Sequence, residues 1–205
     1  MLNTNTEPWT IMRISLYRKL LKPLTATLCV GPILIGTTPV DAHVVLDKKT
    51  APTGSYFWGS FRVGHGCEGS ATVAITVNVP DGVRGAKPMP KAGWTIDRRV
   101  EKLTKPYDSH GKTVTEDVVA ITWRGGPLPD AFFDEFAIQM QLPVTPGPIW
   151  FKVLQQCEKG EINWATVPAN GISTRGIKAP AVLLELVPVS TAPAETKATP
   201  DEHKH

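Results

Sequence analysis

Apolar and polar residues alternate with a period of two through "SYFWGSFRV" (55–63), "ATVAITVNV" (71–79), "EDVVAITW" (116–123), "DEFAIQMQL" (134–142), "IWFKVLQQ" (149–156) and "PAVLLELVPV" (180–189). In an extended chain this pattern sends successive side chains to opposite faces, and the apolar face can be buried only by pairing strands into sheets. Between the runs, "PDGV", "MPKAGW", "RGGPLPD" and "PVTPGP" supply the Pro and Gly of tight turns. No stretch of about a dozen residues carries the apolar stripe of an amphipathic helix. The expected fold class is all-β, a two-sheet sandwich of immunoglobulin-like or cupredoxin-like architecture, because no repeat period points to a propeller.

The start of the chain reads differently. Arg13, Arg18, Lys19 and Lys22 precede an apolar run, "LTATLCVGPILIG", from Leu24 to Gly36, which is too short to span a bilayer. That is the pattern of a secretory signal peptide, residues 1–42. Val40 and Ala42 provide the small residues that signal peptidase requires, so cleavage would leave His43 as the new N-terminus. Pro32 and the polar "TTPVDA" argue against an uncleaved spanning helix. The expected organisation is a signal peptide, a sandwich domain over 43–189, and a disordered tail over 190–205, where "STAPAETKATPDEHKH" has almost nothing apolar. The mature chain is expected to be periplasmic or secreted, and not membrane-spanning. Of the 22 basic residues four precede position 43, and of the 19 acidic ones two do, which leaves a net charge near +1. With neither a basic tract nor an aromatic stripe, there is no case for nucleic-acid binding.

Cys29 lies in the signal, so the mature chain keeps Cys67 and Cys157. An isolated pair in an oxidising compartment points to one disulfide. The rival reading, a thiolate metal or redox site, has no CxxC spacing behind it.

His43 is the chemically distinctive residue. An N-terminal histidine offers its α-amine and its ring Nδ1 to one metal in a six-membered chelate, and such nitrogen donors suit Cu(II). With reference pKa values near 7.7–8.0 for the amine and 6.5 for the ring, copper has few protons to displace at neutral pH. The plainer alternative is a solvated first residue of an edge strand. His65, in "GHGC", and His110, in "YDSHG", could each add a second imidazole, although loop histidines more often bond backbone carbonyls. His203 and His205 in the tail could hold metal only weakly. No nucleophile elbow, phosphate-binding glycine loop or H-E-x-x-H helix is present, and an enzyme is not expected.

Taken in order, "HVVLDKKTAPTGSYFWGSFRVGHGCEGSATVAITVNVPDGV", "KPMPKAGW", "KPYDSHG", "ITWRGGPLPDAFFDEF" and "QQCEKGEINWATVP" resemble the YcnI family of exported copper-binding proteins over nearly all of 43–187. The resemblance implies a β-sandwich that holds Cu(II) through His43, with a carboxylate and a tryptophan close by. Glu135 of "DEF" and Trp164 of "INW" are the residues it favours. Strand alternation alone does not choose between Glu135 and Asp134, and either could be an ordinary surface carboxylate; Trp164 could be a plain core residue. Gly64 departs from the family's common proline before "HGC", and the C-terminal membrane helix of many relatives has no counterpart here. The expected function is therefore an exported copper carrier or homeostasis protein, whose partner would be another exported copper carrier or a membrane copper transporter. The alternatives are a copper-dependent oxidative enzyme resembling polysaccharide monooxygenases, and a metal-free immunoglobulin-like interaction module.

Overall fold

The computed structural model describes residues 43–189; the expected signal peptide and tail lie outside the described residues. Twelve strands run in order: β1 Val45–Leu46, β2 Thr50–Pro52, β3 Tyr56–Val63, β4 Thr72–Asn78, β5 Arg84–Pro88, β6 Trp94–Ser109, β7 Lys112–Leu128, β8 Asp134–Gln141, β9 Gly147–Phe151, β10 Val153–Cys157, β11 Glu161–Trp164 and β12 Val182–Val187. Among the described residues there is no α-helix, and none long and apolar enough to cross a membrane.

The strands form a four-stranded sheet, β1-β3-β8-β5, a five-stranded sheet, β11-β10-β4-β7-β6, and a three-stranded sheet, β2-β12-β9. The third sheet is a difference from the two expected, and its cause is local. The run 149–156 is not one strand: β9 pairs with β12 up to Phe151, and β10 pairs with β4 from Val153, so the chain changes sheet at Lys152.

Alternation does the packing. Phe57, Phe61 and Val63 of β3 and Phe136, Ile138 and Met140 of β8 face inward. They meet the other sheets edge to face: Phe61 on Phe151 at 5.2 Å and Trp123 on Phe136 at 5.5 Å between ring centroids. Each such side chain, fully buried, contributes on the order of 1.5–3 kcal/mol.

The long strand β6 went unread in the sequence. Most of "WTIDRRVEKLTKPYDS" is exposed, so it shows no apolar alternation. It is a strand because it pairs with β7 over most of its length, with a register shift between Lys102 and Tyr107 around Pro106, which has no N–H to give.

Candidate functional site

The site is organised by a loop and a hairpin. After β3 the chain turns through Gly64–Ser70, and Cys67 is joined to Cys157 at the end of β10, 90 residues away, with a Cα separation of 6.0 Å. The pair read from the sequence is therefore a disulfide. The loop is tight: a Cβ on Gly66 would lie 1.9 Å from the Ser70 carbonyl oxygen, so only glycine fits between His65 and Cys67. The Gly66 amide donates to Asp130 Oδ1 at 2.8 Å.

Beneath this loop lies Gln155, fully buried on the inward face of β10. Its Nε2 donates to the His65 carbonyl at 2.7 Å and to Thr72 Oγ1 at 2.8 Å. Its Oε1 accepts from Trp164 Nε1 at 3.0 Å. One amide thus ties the loop, β4 and β11 together. Sequence reasoning missed it. The available signal was its parity, since Gln155 shares the inward face with Val153 and Cys157.

Trp164, at 3% exposure, belongs to the hydrophobic core and also receives two histidine rings. His43 meets it edge-on at 5.8 Å and an interplanar angle of 75°, and His65 does so at 6.2 Å and 75°. Trp164 is thus a core residue, the plainer of its two expected roles, and one whose ring is also in contact with two histidines. His43 also lines a cavity of about 360 Å³ with Lys49, Ile172, Thr174 and Glu185.

Glu135 has a different partner. It stands opposite Arg62 in the β3–β8 register, and its Oε1 accepts from Arg62 Nε at 2.9 Å and from the terminal nitrogen at 2.7 Å. Both side chains are more than a third exposed, so the pair adds little to stability. Val45 of β1 lies opposite Arg62 on the other side, which sets Glu135 two strands from β1 on the same outward face. Asp134 points the other way, paired with Lys91. Among the described residues, no cluster of three or more His, Cys, Asp or Glu side chains could by itself hold a metal.

His110 sits apart from Trp164 at the tip of the β6–β7 hairpin, in a left-handed backbone conformation at φ 52°. Its Nε2 lies 3.5 Å from the Tyr56 hydroxyl. It lines a second cavity, of about 350 Å³, with Tyr56, Arg84, Tyr107 and Asp117. There the Tyr107 hydroxyl donates to Asp117 Oδ2 at 2.7 Å, and the Arg84 guanidinium lies 4.4 Å from the Tyr107 ring centroid. Burial first, and the Asp117 carboxylate second, push the Tyr107 phenol up to about 12. Between the ordinary value of 10.0 and that value, the folded chain holds a proton that the unfolded chain has lost, so stability should fall across this window and be unaffected below it. Ultraviolet titration should show a tyrosine step about 12 that Tyr107→Phe removes and Asp117→Asn moves down; if all tyrosines ionise near 10, this account of Tyr107 is wrong.

Together, the three sheets and the loop tied by one long-range disulfide define an immunoglobulin-like β-sandwich that carries a His–Trp–His cluster at one edge. The sequence matches, over residues 43–186, the family described as a domain of unknown function, DUF1775, and the chain belongs to that family. A solved structure of an uncharacterized protein from Nocardia farcinica, described as having an immunoglobulin-like fold, is 27% identical, with a TM-score of 0.55 over 71% of this chain and 98% of that one. Of the two architectures expected, the immunoglobulin-like one is matched. Also similar are a non-cellulosomal cohesin from Archaeoglobus fulgidus, at 8% identity and a TM-score of 0.38 over 71% of this chain and 90% of that one, and a type III cohesin module from a cell-surface anchoring scaffoldin of Ruminococcus flavefaciens, at 13% and 0.31 over 76% and 93%. No curated protein matches the chain.

Proposed function

We propose that this protein, exported and cut before His43, carries Cu(II) as cargo, received from or passed to another exported copper carrier or a membrane copper transporter. The single observation behind this reading is the packing of the His43 ring against buried Trp164. That contact restrains the ring and shields one side of it from water, so the α-amine and Nδ1 would need little ordering to chelate a metal. The donor chemistry fits copper: amine and imidazole nitrogens completed by a carboxylate oxygen are the set that suits a tetragonal Cu(II) ion, and Glu185 lines the same cavity as His43. Nothing in this role calls for a substrate channel or an activated nucleophile, and the reading is of a carrier, not an enzyme.

For Glu135 to serve as the oxygen donor, it would have to exchange Arg62 for the metal. Since the Arg62 pair is exposed, that exchange is inexpensive. Titrating the processed, metal-free protein with Cu(II) tests the reading: one equivalent should bind, His43→Ala should lose it, and Glu135→Gln should weaken it with the thermal transition unchanged. If copper binds equally well to His43→Ala, the carrier reading fails. If Glu135→Gln binds like the parent, only the carboxylate assignment fails.

One observation favours a second reading, a metal-free interaction module. Tyr56 and Trp58 stand 66% and 59% exposed on the outward face of β3, more aromatic surface than folding requires.

A further inference from the structure

The geometry points to the His65 imidazole as a second donor to the same copper, an inference that rests on the His43 reading above. Three observations converge on it. First, the rings of His43 and His65 both meet Trp164 edge-on, at 5.8 Å and 6.2 Å. Carried two residues beyond the Val45–Arg62 pair, the β1–β3 register sets His43 level with Gly64, the neighbour of His65. Both histidines therefore leave the same end of the same strand pair.

Second, the ring of His65 is oriented by its own loop. Its Nδ1 is hydrogen-bonded to the Gly66 carbonyl oxygen. A ring nitrogen held by a backbone carbonyl is the usual support of a metal-binding histidine, because it sets the direction of the ring.

Third, the backbone under His65 is rigid. Gln155 holds its carbonyl, Asp130 holds the next amide, and the Cys67–Cys157 disulfide closes the loop two residues on. A donor already in place has little freedom to lose when metal arrives. Two imidazoles and the amine would present three nitrogens to Cu(II), leaving Glu135 a weaker and more exchangeable role. His110 belongs to the Tyr56 cavity and has no such relation to Trp164.

The test is pulsed electron paramagnetic resonance on the processed protein loaded with one equivalent of Cu(II). The remote ring nitrogens of bound imidazoles modulate the echo, and two imidazoles give combination lines that one cannot. The parent should show two. His65→Gln should show one and bind about tenfold more weakly, with an unchanged far-ultraviolet spectrum, because the loop is held through the His65 carbonyl, the Gly66 amide and the Cys67 disulfide, all of which the substitution leaves in place. His110→Gln should leave the two-imidazole pattern intact. A parent spectrum with a single imidazole overturns the assignment whether or not any variant folds, and so does a two-imidazole pattern that survives His65→Gln. Failure to bind copper at all sinks the carrier reading itself, which is a different result from copper bound through His43 alone.

Discussion

Adding a single residue ahead of His43 is expected to weaken Cu(II) binding by about 10²–10⁴-fold, the scale on which joining two weak donors raises affinity. The added residue converts the α-amine into a peptide nitrogen and removes it from the chelate. It leaves the imidazole where it was, because the contact of the ring with Trp164 does not involve the amine. The same loss should follow acetylation of His43, with no change in length. Competition against a chromophoric chelator measures both forms in one titration. An extended protein that holds copper as tightly as the processed one would show that the N-terminal chelate plays no part. Export and processing would then be a delivery matter only, with the ring donors left to explain any binding.

The second large effect is on the fold. Replacing both Cys67 and Cys157 with serine should lower stability by about 4–5 kcal/mol, the chain-entropy value for a loop of 90 residues. For a domain of this size that corresponds to a fall in Tm of about 10–15 °C. Both cysteines are buried, so the serine hydroxyls would add their own desolvation cost. A double variant that melts with the parent would mean that the pairing of β3, β4 and β10 already confines the loop. Copper should be affected as well. The His65 loop would keep its hydrogen bonds to Gln155 and Asp130 but lose its covalent anchor, so the variant's copper spectrum should broaden even at temperatures where the domain is folded.

The sheet core could be read because burial imposes its period on the sequence. β3 and β12 each bury one parity of residues and were visible as alternating runs; β4 and β8 were visible too, although Ala74 and Ile75 are both buried in β4 and Ala137 is buried beside Phe136 and Ile138 in β8. β6 was not, because backbone pairing with β7 needs no pattern of side chains. The break at Lys152 was invisible for the opposite reason: β9 and β10 are both apolar, and alternation does not say which sheet a strand joins. At the candidate site, the cysteine pair followed from counting, and His43 from the junction before it. Trp164 came with the family resemblance, and the structure brings it to His43. The ion pair of Glu135 with Arg62 joins residues 73 apart in sequence, and nothing local announces it. Gln155 was missed because a polar residue in an alternating run is assigned to the solvent side by default. Its inward position became evident only once its three hydrogen-bond partners were in view.

Five residues of β10 carry three different kinds of constraint on one face. Val153 packs, Gln155 makes the hydrogen bonds, and Cys157 forms the covalent link. A slip of one residue against β4 would turn all three outward together. The thiols would then be held apart, Trp164 would lose its acceptor, and a polar amide would be exchanged for Leu154 and Gln156 in the interior. The strand therefore has no partly correct arrangement to rest in. The disulfide is thus compatible with one register of β10: a chain that carries it also has Gln155 turned inward, beneath the His65 loop and within reach of Trp164.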